Sequence, residues 1–333
     1  MVKFKDTSFL HASSRIKSLE KYLLGPRQLI QMVEAHNNDE AYKIVADAGI
    51  GVGTGIREYE HALRENLLQT YRMLEDFADG TNVFDLFRYE YDGLNLKVLI
   101  KAQALGKAPD EALTPLGTVP PETLTEQMRA KRFEGLHPRL AAGALEALDV
   151  LAKTGDPQSV GILLDKAVLA AMHETAQGFD NRFIRSYVRS KIDISNIRCL
   201  VRIHRIGGGN DFFRRVVALG GAIGENQLTD AYSKGIDAII ALIEASDYGA
   251  VLEPAMATLR AGGSLTLFEK LCDNYMVRLL DDARLIPFGI EPLIVYLCAK
   301  ENEIKAVRIV LASRLAGVDP EQIKERLRES YAR

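Results

Sequence analysis

Apolar residues recur along most of this chain at intervals of three and four, the spacing that lines one face of an α-helix. From Leu19, the series Leu19, Tyr22, Leu23, Leu29, Ile30 and Val33 steps in this way, interrupted at Gly25-Pro26. Between Tyr59 and Phe77, Leu63, Leu67, Tyr71 and Leu74 stand at i, i+4, i+8 and i+11 with charges between them. The same period runs through residues 140–151, 159–172, 231–243, 265–280 and 323–331. Strict alternation with β-branched enrichment is almost absent, so the pattern predicts an all-α fold. Helix stops fall at Gly106, Gly117, Pro120-Pro121, Thr154-Gly-Asp-Pro157, Gly207-Gly-Gly209, Gly220-Gly221, Gly262-Gly263 and Pro287. None of these breaks is long enough to be a flexible linker, so successive helical groups are expected to pack against one another.

A longer period lies over the short one. Asp92-Gly-Leu-Asn-Leu-Lys-Val-Leu99 and Asp193-Ile-Ser-Asn-Ile-Arg-Cys-Leu200 share the form Asp-x-x-Asn-[Leu/Ile]-[Lys/Arg]-x-Leu. A divergent third copy, Glu303-Ile-Lys-Ala-Val, aligns Glu303 with Asn95 and Asn196, at separations of 101 and 107 residues (196 − 95 and 303 − 196). A second block follows each copy: Gly117-Thr-Val-Pro-Pro-Glu122, Gly220-Gly-Ala-Ile-Gly-Glu225 and Gly317-Val-Asp-Pro-Glu321. Self-similarity at a fixed period predicts repeated structural units. We read a single domain over 1–333 with internal repeats of roughly 1–110, 111–215 and 216–333. At about 100 residues, each repeat exceeds a solenoid unit of about 34–47 residues, which favours bulky helical lobes.

Within each copy an apolar face runs beside a basic one. Leu96, Leu99 and Ile100 accompany Lys97 and Lys101; Ile197, Leu200 and Val201 accompany Arg198 and Arg202; Ile304, Val307, Leu311 and Leu315 accompany Lys305 and Arg308. These six cations are the candidate partner interface, a basic stripe presented three times to an acidic partner. The plainer reading is a solvated helix face whose long stems cover apolar surface. Asp92 and Asp193 are expected as N-caps of the helices that follow them, and Asn95 and Asn196 as buried hydrogen-bonding links between helices.

Composition and candidate chemistry narrow the function by exclusion. With 333 residues, 47% hydrophobic and 26% charged, the chain is an ordinary globular one, and a net charge of −3 gives no general basic field for nucleic acid. Cys199, Cys272 and Cys298 are odd in number and widely spaced, and read as reduced packing residues of a cytosolic protein. The polar N-terminus does not read as a signal peptide, and the longest apolar run, 236–243, is far short of the ~20 residues a membrane span needs.

Gly49, Gly51, Gly53 and Gly55 suggest a phosphate loop. The preceding segment reads as a helix rather than the strand that a dinucleotide fingerprint requires, so an inter-helix loop is expected. Gly207-Gly-Gly-Asn210 reads as a helix stop, and His173-Glu174 lacks a second ligand at i+4. Cys199 reads as packing. No catalytic constellation, cofactor site, metal site or small-molecule substrate site is predicted.

Tyr91-Asp-Gly-Leu-Asn-Leu-Lys-Val-Leu-Ile-Lys-Ala102, together with the run from Gly289 to Val318 (GIEPLIVYLCAKENEIKAVRIVLASRLAGV), strongly resembles the central-stalk C-type component of archaeal-type and bacterial V-type ATPases. That family includes the d-type component of the eukaryotic V-ATPase. The resemblance extends from about Leu10 to Ser330. It implies three similar helical lobes around a pseudo-threefold axis, forming a funnel that is not itself an enzyme. It also implies a peripheral position on the cytoplasmic face of the membrane. The implied partners are the central axle components of D and F type and the proteolipid c-ring, held through protein contacts. The implied role is torque transmission between ATP hydrolysis or synthesis and proton or sodium transport. The glycines at 49–55 do not belong to that resemblance. Two readings stand beside it: an all-α scaffold or adaptor unrelated to rotary motors, and an enzyme binding a nucleotide at the glycine loop.

Overall fold

In the computed structural model, which describes residues 2–4, 6–78, 81–109 and 112–331, the periodic segments become helices and no strand forms among the described residues. Val2 makes an isolated bridge with Phe179. The helices begin with α1 (Leu10–Glu20), α2 (Pro26–Glu34), α3 (Asn38–Asp47), α4 (Tyr59–Phe77) and α5 (Asp85–Ala104). They continue with α6 (Pro121–Ala130), α7 (Pro138–Thr154), α8 (Pro157–Gln177), α9 (Arg182–Arg205) and α10 (Asn210–Val216). Then come α11 (Glu225–Lys234), α12 (Ile236–Glu244), α13 (Gly249–Arg260), α14 (Thr266–Ala283), α15 (Glu291–Leu315) and α16 (Pro320–Arg326).

Local chemistry sets many of the starts. Pro occupies the first or second position of α2, α6, α7, α8, α15 and α16, where its missing N–H would be unpaired in any case. The side chains of Asn37, Asp156, Asn181 and Asp319 accept from amides of the first turns of α3, α8, α9 and α16. His137 caps α7 by accepting from the Arg139 amide through Nδ1 at 3.2 Å.

Two segments depart from the periodicity. The stretch 231–243 is not one helix: Gly235, with φ +93°, ends α11 and turns the chain into α12. The stretch 323–331 stays helical only to Arg326. Beyond it, side-chain partners replace the intrahelical bonds. Arg328 meets Asp273 at 2.8 Å, Glu329 meets Arg278 at 2.5 and 2.9 Å, and the Tyr331 hydroxyl donates to Glu20 at 3.1 Å.

The chain divides into two compact units, one of Val2, Lys3 and Asn82–Gly249, the other of Phe4–Thr81 with Ala250–Arg333. In the first, α5 packs on α6, α7 and α8, while α9 packs on α8, α10, α11 and α12. In the second, α15 is the central element, in contact with α1, α2, α3, α4, α14 and α16. Its residues from Pro292 through Lys300 are all buried, so this helix is enclosed on every side rather than along one stripe. The apolar faces expected of α5, α9 and α15 are buried: Leu96, Leu99, Ile100, Ile197, Leu200, Val201, Ile304, Val307 and Leu311. Leu315, at the end of α15, is exposed.

Two measurements probe this packing. Leu200→Asp puts a charge where the side chain is fully buried. It is expected to lower the unfolding free energy by about 3–5 kcal/mol in urea titration; an unchanged midpoint would mean that face is not in the core. His137 carries the pH dependence. Burial lowers its imidazole pKa, helped by Arg139 and opposed by Glu174. Because the native value lies below the unfolded one, the cap is fully present above about pH 6.5. It is lost as pH falls through the lowered native value, since protonated Nδ1 cannot accept. Thermal melts from pH 7 down to pH 5 should therefore show a loss of about 1 kcal/mol that His137→Asn, a cap that does not titrate, removes.

Candidate functional site

The polar residues of the repeated motif lie inside the helices rather than at their ends. Asp92 is in the middle of α5 and Asp193 in the middle of α9, so neither caps the helix it belongs to, contrary to the expectation from sequence. Each instead holds the loop that leads into a later helix. Asp92 Oδ1 accepts from the amides of Thr118 at 2.9 Å and Val119 at 3.4 Å, and Oδ2 accepts from the Thr118 hydroxyl at 2.6 Å. Asp193 accepts from the amides of Ala222 at 2.7 Å and Ile223 at 3.0 Å, and from the Tyr248 hydroxyl at 2.6 Å. Burial raises the Asp92 carboxyl pKa, against the pull of these donors and of Arg88.

The asparagines are buried hydrogen bonders, as expected, but their partners are loop backbone and not another helix. Asn95 donates to the Thr114 carbonyl at 2.8 Å and accepts from its amide at 2.9 Å. Asn196 does the same with Ala218, at 2.8 and 2.9 Å. The carboxamide thus pairs with one residue's backbone much as a neighbouring strand would. The recurring glycines have a steric cause. A Cβ at Gly117 or Gly221 would collide with Oδ1 of Asp92 or Asp193, so only a bare backbone can come this close.

The third copy solves the same problem with other residues. Lys300 stands where the aspartates stand and Glu303 where the asparagines stand, both buried. Glu303 Oε1 accepts from the Leu24 amide at 2.6 Å, and Lys300 Nζ lies 2.5 Å from Glu303 Oε2. Leu24, Val119 and Ile223 are each the residue immediately before an N-cap, that of α2, α6 or α11, and all three are buried. The partner loop of the third core helix is therefore near the start of the chain. The stretch 317–323 does not have that role. Gly317 follows the end of α15 with φ +68°, and Asp319 caps α16.

The six candidate cations are divided by the fold. Lys97 Nζ meets Asp165 of α8 at 2.5 Å, and Arg308 Nε meets Glu60 of α4 at 3.0 Å. Arg198 is half-buried, while Lys101, Arg202 and Lys305 are exposed. The glycine-rich loop lies between α3 and α4 with a helix, not a strand, before it. The Tyr42 hydroxyl staples it, at 2.6 Å from the Thr54 hydroxyl and 3.3 Å from the Gly51 carbonyl. Among the described residues no set of His, Cys, Asp or Glu side chains is gathered to hold a metal ion. Cys272 and Cys298 are buried, and Cys199 is half-buried.

Several anchors carry no clear signal in the sequence pattern. Arg88, one turn before Asp92, donates to the Leu116 carbonyl at 3.0 Å. Arg314 closes the end of α2 by donating to the carbonyls of Val33 at 2.5 Å and Ala35 at 2.8 Å. Tyr71 donates to Glu301 at 2.8 Å. Burial, with Glu303 and Glu20 nearby, pushes the Tyr296 phenol up to about 12. The buried pair of α15 had the nearest thing to a signal, a lysine and a glutamate three apart inside an otherwise apolar helix.

Long helices whose buried polar side chains hold their own protein's loops define the class of fold, all-helical among the described residues. Residues 12–326 match the family described as ATP synthase (C/AC39) subunit, and the chain belongs to that family. It is similar to the C-type component of the A-type ATP synthase of Methanocaldococcus jannaschii, with 25% identity over 96% of this chain and 86% of the relative. The corresponding protein of Methanothermobacter thermautotrophicus is 28% identical over 96% and 87%, and that of Haloferax volcanii 26% identical over 91% and 89%. The family's members are non-catalytic, and this chain is one of them. Among the described residues no helix is long and apolar enough to cross a membrane.

The buried ion pair is open to a double-variant test. Lys300→Met leaves the Glu303 carboxylate buried without its counter-charge and is expected to cost about 3–5 kcal/mol in chemical denaturation. Adding Glu303→Gln, whose amide oxygen still accepts from Leu24, should restore most of that loss. A double variant as unstable as the single one would mean that the pair itself, rather than the bond to Leu24, holds the segment.

Proposed function

We propose that this protein is the non-catalytic central-stalk component of an A/V-type rotary ATPase, joining the central axle to the membrane proteolipid ring. The match of residues 12–326 to the ATP synthase (C/AC39) family carries the reading. The relatives named as C-type components of A-type ATP synthases, aligned over nearly the whole chain, support it. On this reading the partners are axle components of D and F type and the c-ring, engaged from the cytoplasmic side. Torque then passes between ATP hydrolysis or synthesis and proton or sodium transport.

What such a part must do physically is pass torsional strain without yielding. Close-packed interiors have low compressibility and transmit strain. The buried bonds from α5, α9 and α15 to the loops before α6, α11 and α2 suit that demand. They tie each core helix to a helical group that comes earlier or later in the chain. Three similar lobes about a pseudo-threefold axis remain part of this proposal, supported by the recurrence of the Asp-x-x-Asn block at about 100 residues. The exposed cations Lys101 and Lys305 are then the members of the basic set best placed to meet acidic groups of partner proteins, while Lys97 and Arg308 serve internal pairs.

The reading is tested by affinity capture of tagged protein from gently solubilised membranes, with partners identified by mass spectrometry. Recovery of axle, nucleotide-binding head and proteolipid components is expected; recovery of soluble proteins alone would remove the assignment. In the same assay Lys101→Glu and Lys305→Glu combined should reduce recovery several-fold with the melting temperature unchanged, through charge repulsion at the rim of an interface. Undiminished recovery would take these cations out of the interface.

A further inference from the structure

The residues just before each core helix differ in one respect. Ahead of α5, Val83 and Phe84 are buried, and ahead of α9, Phe179 is buried. Ahead of α15, in the loop Arg284 to Ile290, Ile290 is buried while Leu285 is 86% exposed and Phe288 46% exposed. Pro287 between them is exposed as well. Two large apolar side chains and a proline thus stand in water on one short segment, where the matching segments keep theirs inside.

This tip is held in shape. The Ile286 amide donates to the Ala283 carbonyl at 3.0 Å, Pro287 restricts its own φ, and Gly289 turns the chain back at φ +113° into the anchored Ile290. Arg284 at its base faces inward, its guanidinium 4.4 Å over the Tyr331 ring and donating to the Tyr331 carbonyl at 3.3 Å. Asp281 at the end of α14 pairs with Arg284 at 3.6 Å, and the further charge around the tip is acidic: Asp282 on the last turn of α14 and Glu291 on the first of α15. The carbonyl end of α14 adds to the negative field.

We propose that the Leu285–Phe288 tip is a docking element that seats in an apolar cleft rimmed by basic residues on a protein partner. The inference rests on the assembly proposed above and names one of its contact points. An anionic membrane surface fits less well. Lipid-binding segments pair exposed apolar groups with exposed lysines and arginines, whereas here the rim is acidic and the single arginine is turned inward. A rigid tip also suits a protein socket, because little conformational freedom is lost on binding.

The test adds purified protein back to detergent-solubilised ATPase complexes prepared from cells lacking this protein. Wild type should bind. The double variant Leu285→Ser, Phe288→Ser should bind about tenfold or more weakly while melting like wild type, because both side chains are exposed. Asp282→Lys should weaken binding as well. A double variant that binds like wild type would overturn the docking role and leave the stalk assignment standing. Failure of wild type itself to bind would overturn that assignment and the inference with it. Unchanged binding by Asp282→Lys would overturn the basic rim. In a parallel flotation assay with vesicles of phosphatidylcholine and phosphatidylserine, no binding is expected; flotation of wild type but not of the double variant would assign the tip to a membrane and overturn the protein socket.

Discussion

An ionised carboxylate taken out of water must be met by donors or a counter-charge, or it costs several kcal/mol. Asp92, Asp193 and Glu303 are all buried, and everything near them is arranged around that constraint. Loop amides converge on the first two, glycine backbones come close enough to deliver them, and hydroxyls of Thr118 and Tyr248 complete the sets. Since the donors come from loops rather than from the same helix, satisfying the carboxylate also positions the helix that the loop begins. One interaction therefore sets two elements.

The third site shows the same constraint met under different covalent circumstances. In the first two copies the loop follows its core helix along the chain, so its closure spans 26 residues to Thr118 and 30 to Ile223. Glu303 and Leu24 are 279 residues apart, and the loop is delivered by the opposite end of the sequence. There the shorter aspartate gives way to a glutamate one turn on, with Lys300 supplying the balancing charge. The last described residues run alongside, the Ser330 hydroxyl donating to the Leu24 carbonyl at 3.2 Å. Residues 20–24 and 330–331 meet through hydrogen bonds where the other copies have a continuous chain.

Function follows from the same distribution of polar groups. Buried polar residues that answer to loop backbone tie the core helices to those loops. On the function proposed above, contacts with partners would fall to exposed cations on the core helices and to the apolar tip before α15, at the periphery of elements that the interior holds in place.

Much of the architecture was legible in the residues themselves. Helical period, glycine and proline punctuation, the recurrence of Asp-x-x-Asn and the resemblance of the segment from Gly289 to Val318 all depend on neighbours along the chain, and they led to an all-α protein of the right family. Tyr59–Phe77 is a helix over the very span its apolar spacing marks. Direction was not legible. Whether Asp92 faces its own helix or a distant loop depends on which backbone comes within about 3 Å of it, and no local pattern encodes that. The same holds for Lys97 and Arg308, basic by sequence but turned to Asp165 and Glu60 by packing. It holds too for Leu285 and Phe288, apolar like the core yet exposed. The sequence alone determined most of the helical segments, because helix formation is decided within a few residues, although 231–243 breaks at Gly235 and 323–331 stays helical only to Arg326. Tertiary structure alone decided which side chains meet, because burial and hydrogen bonding join groups that the chain keeps far apart.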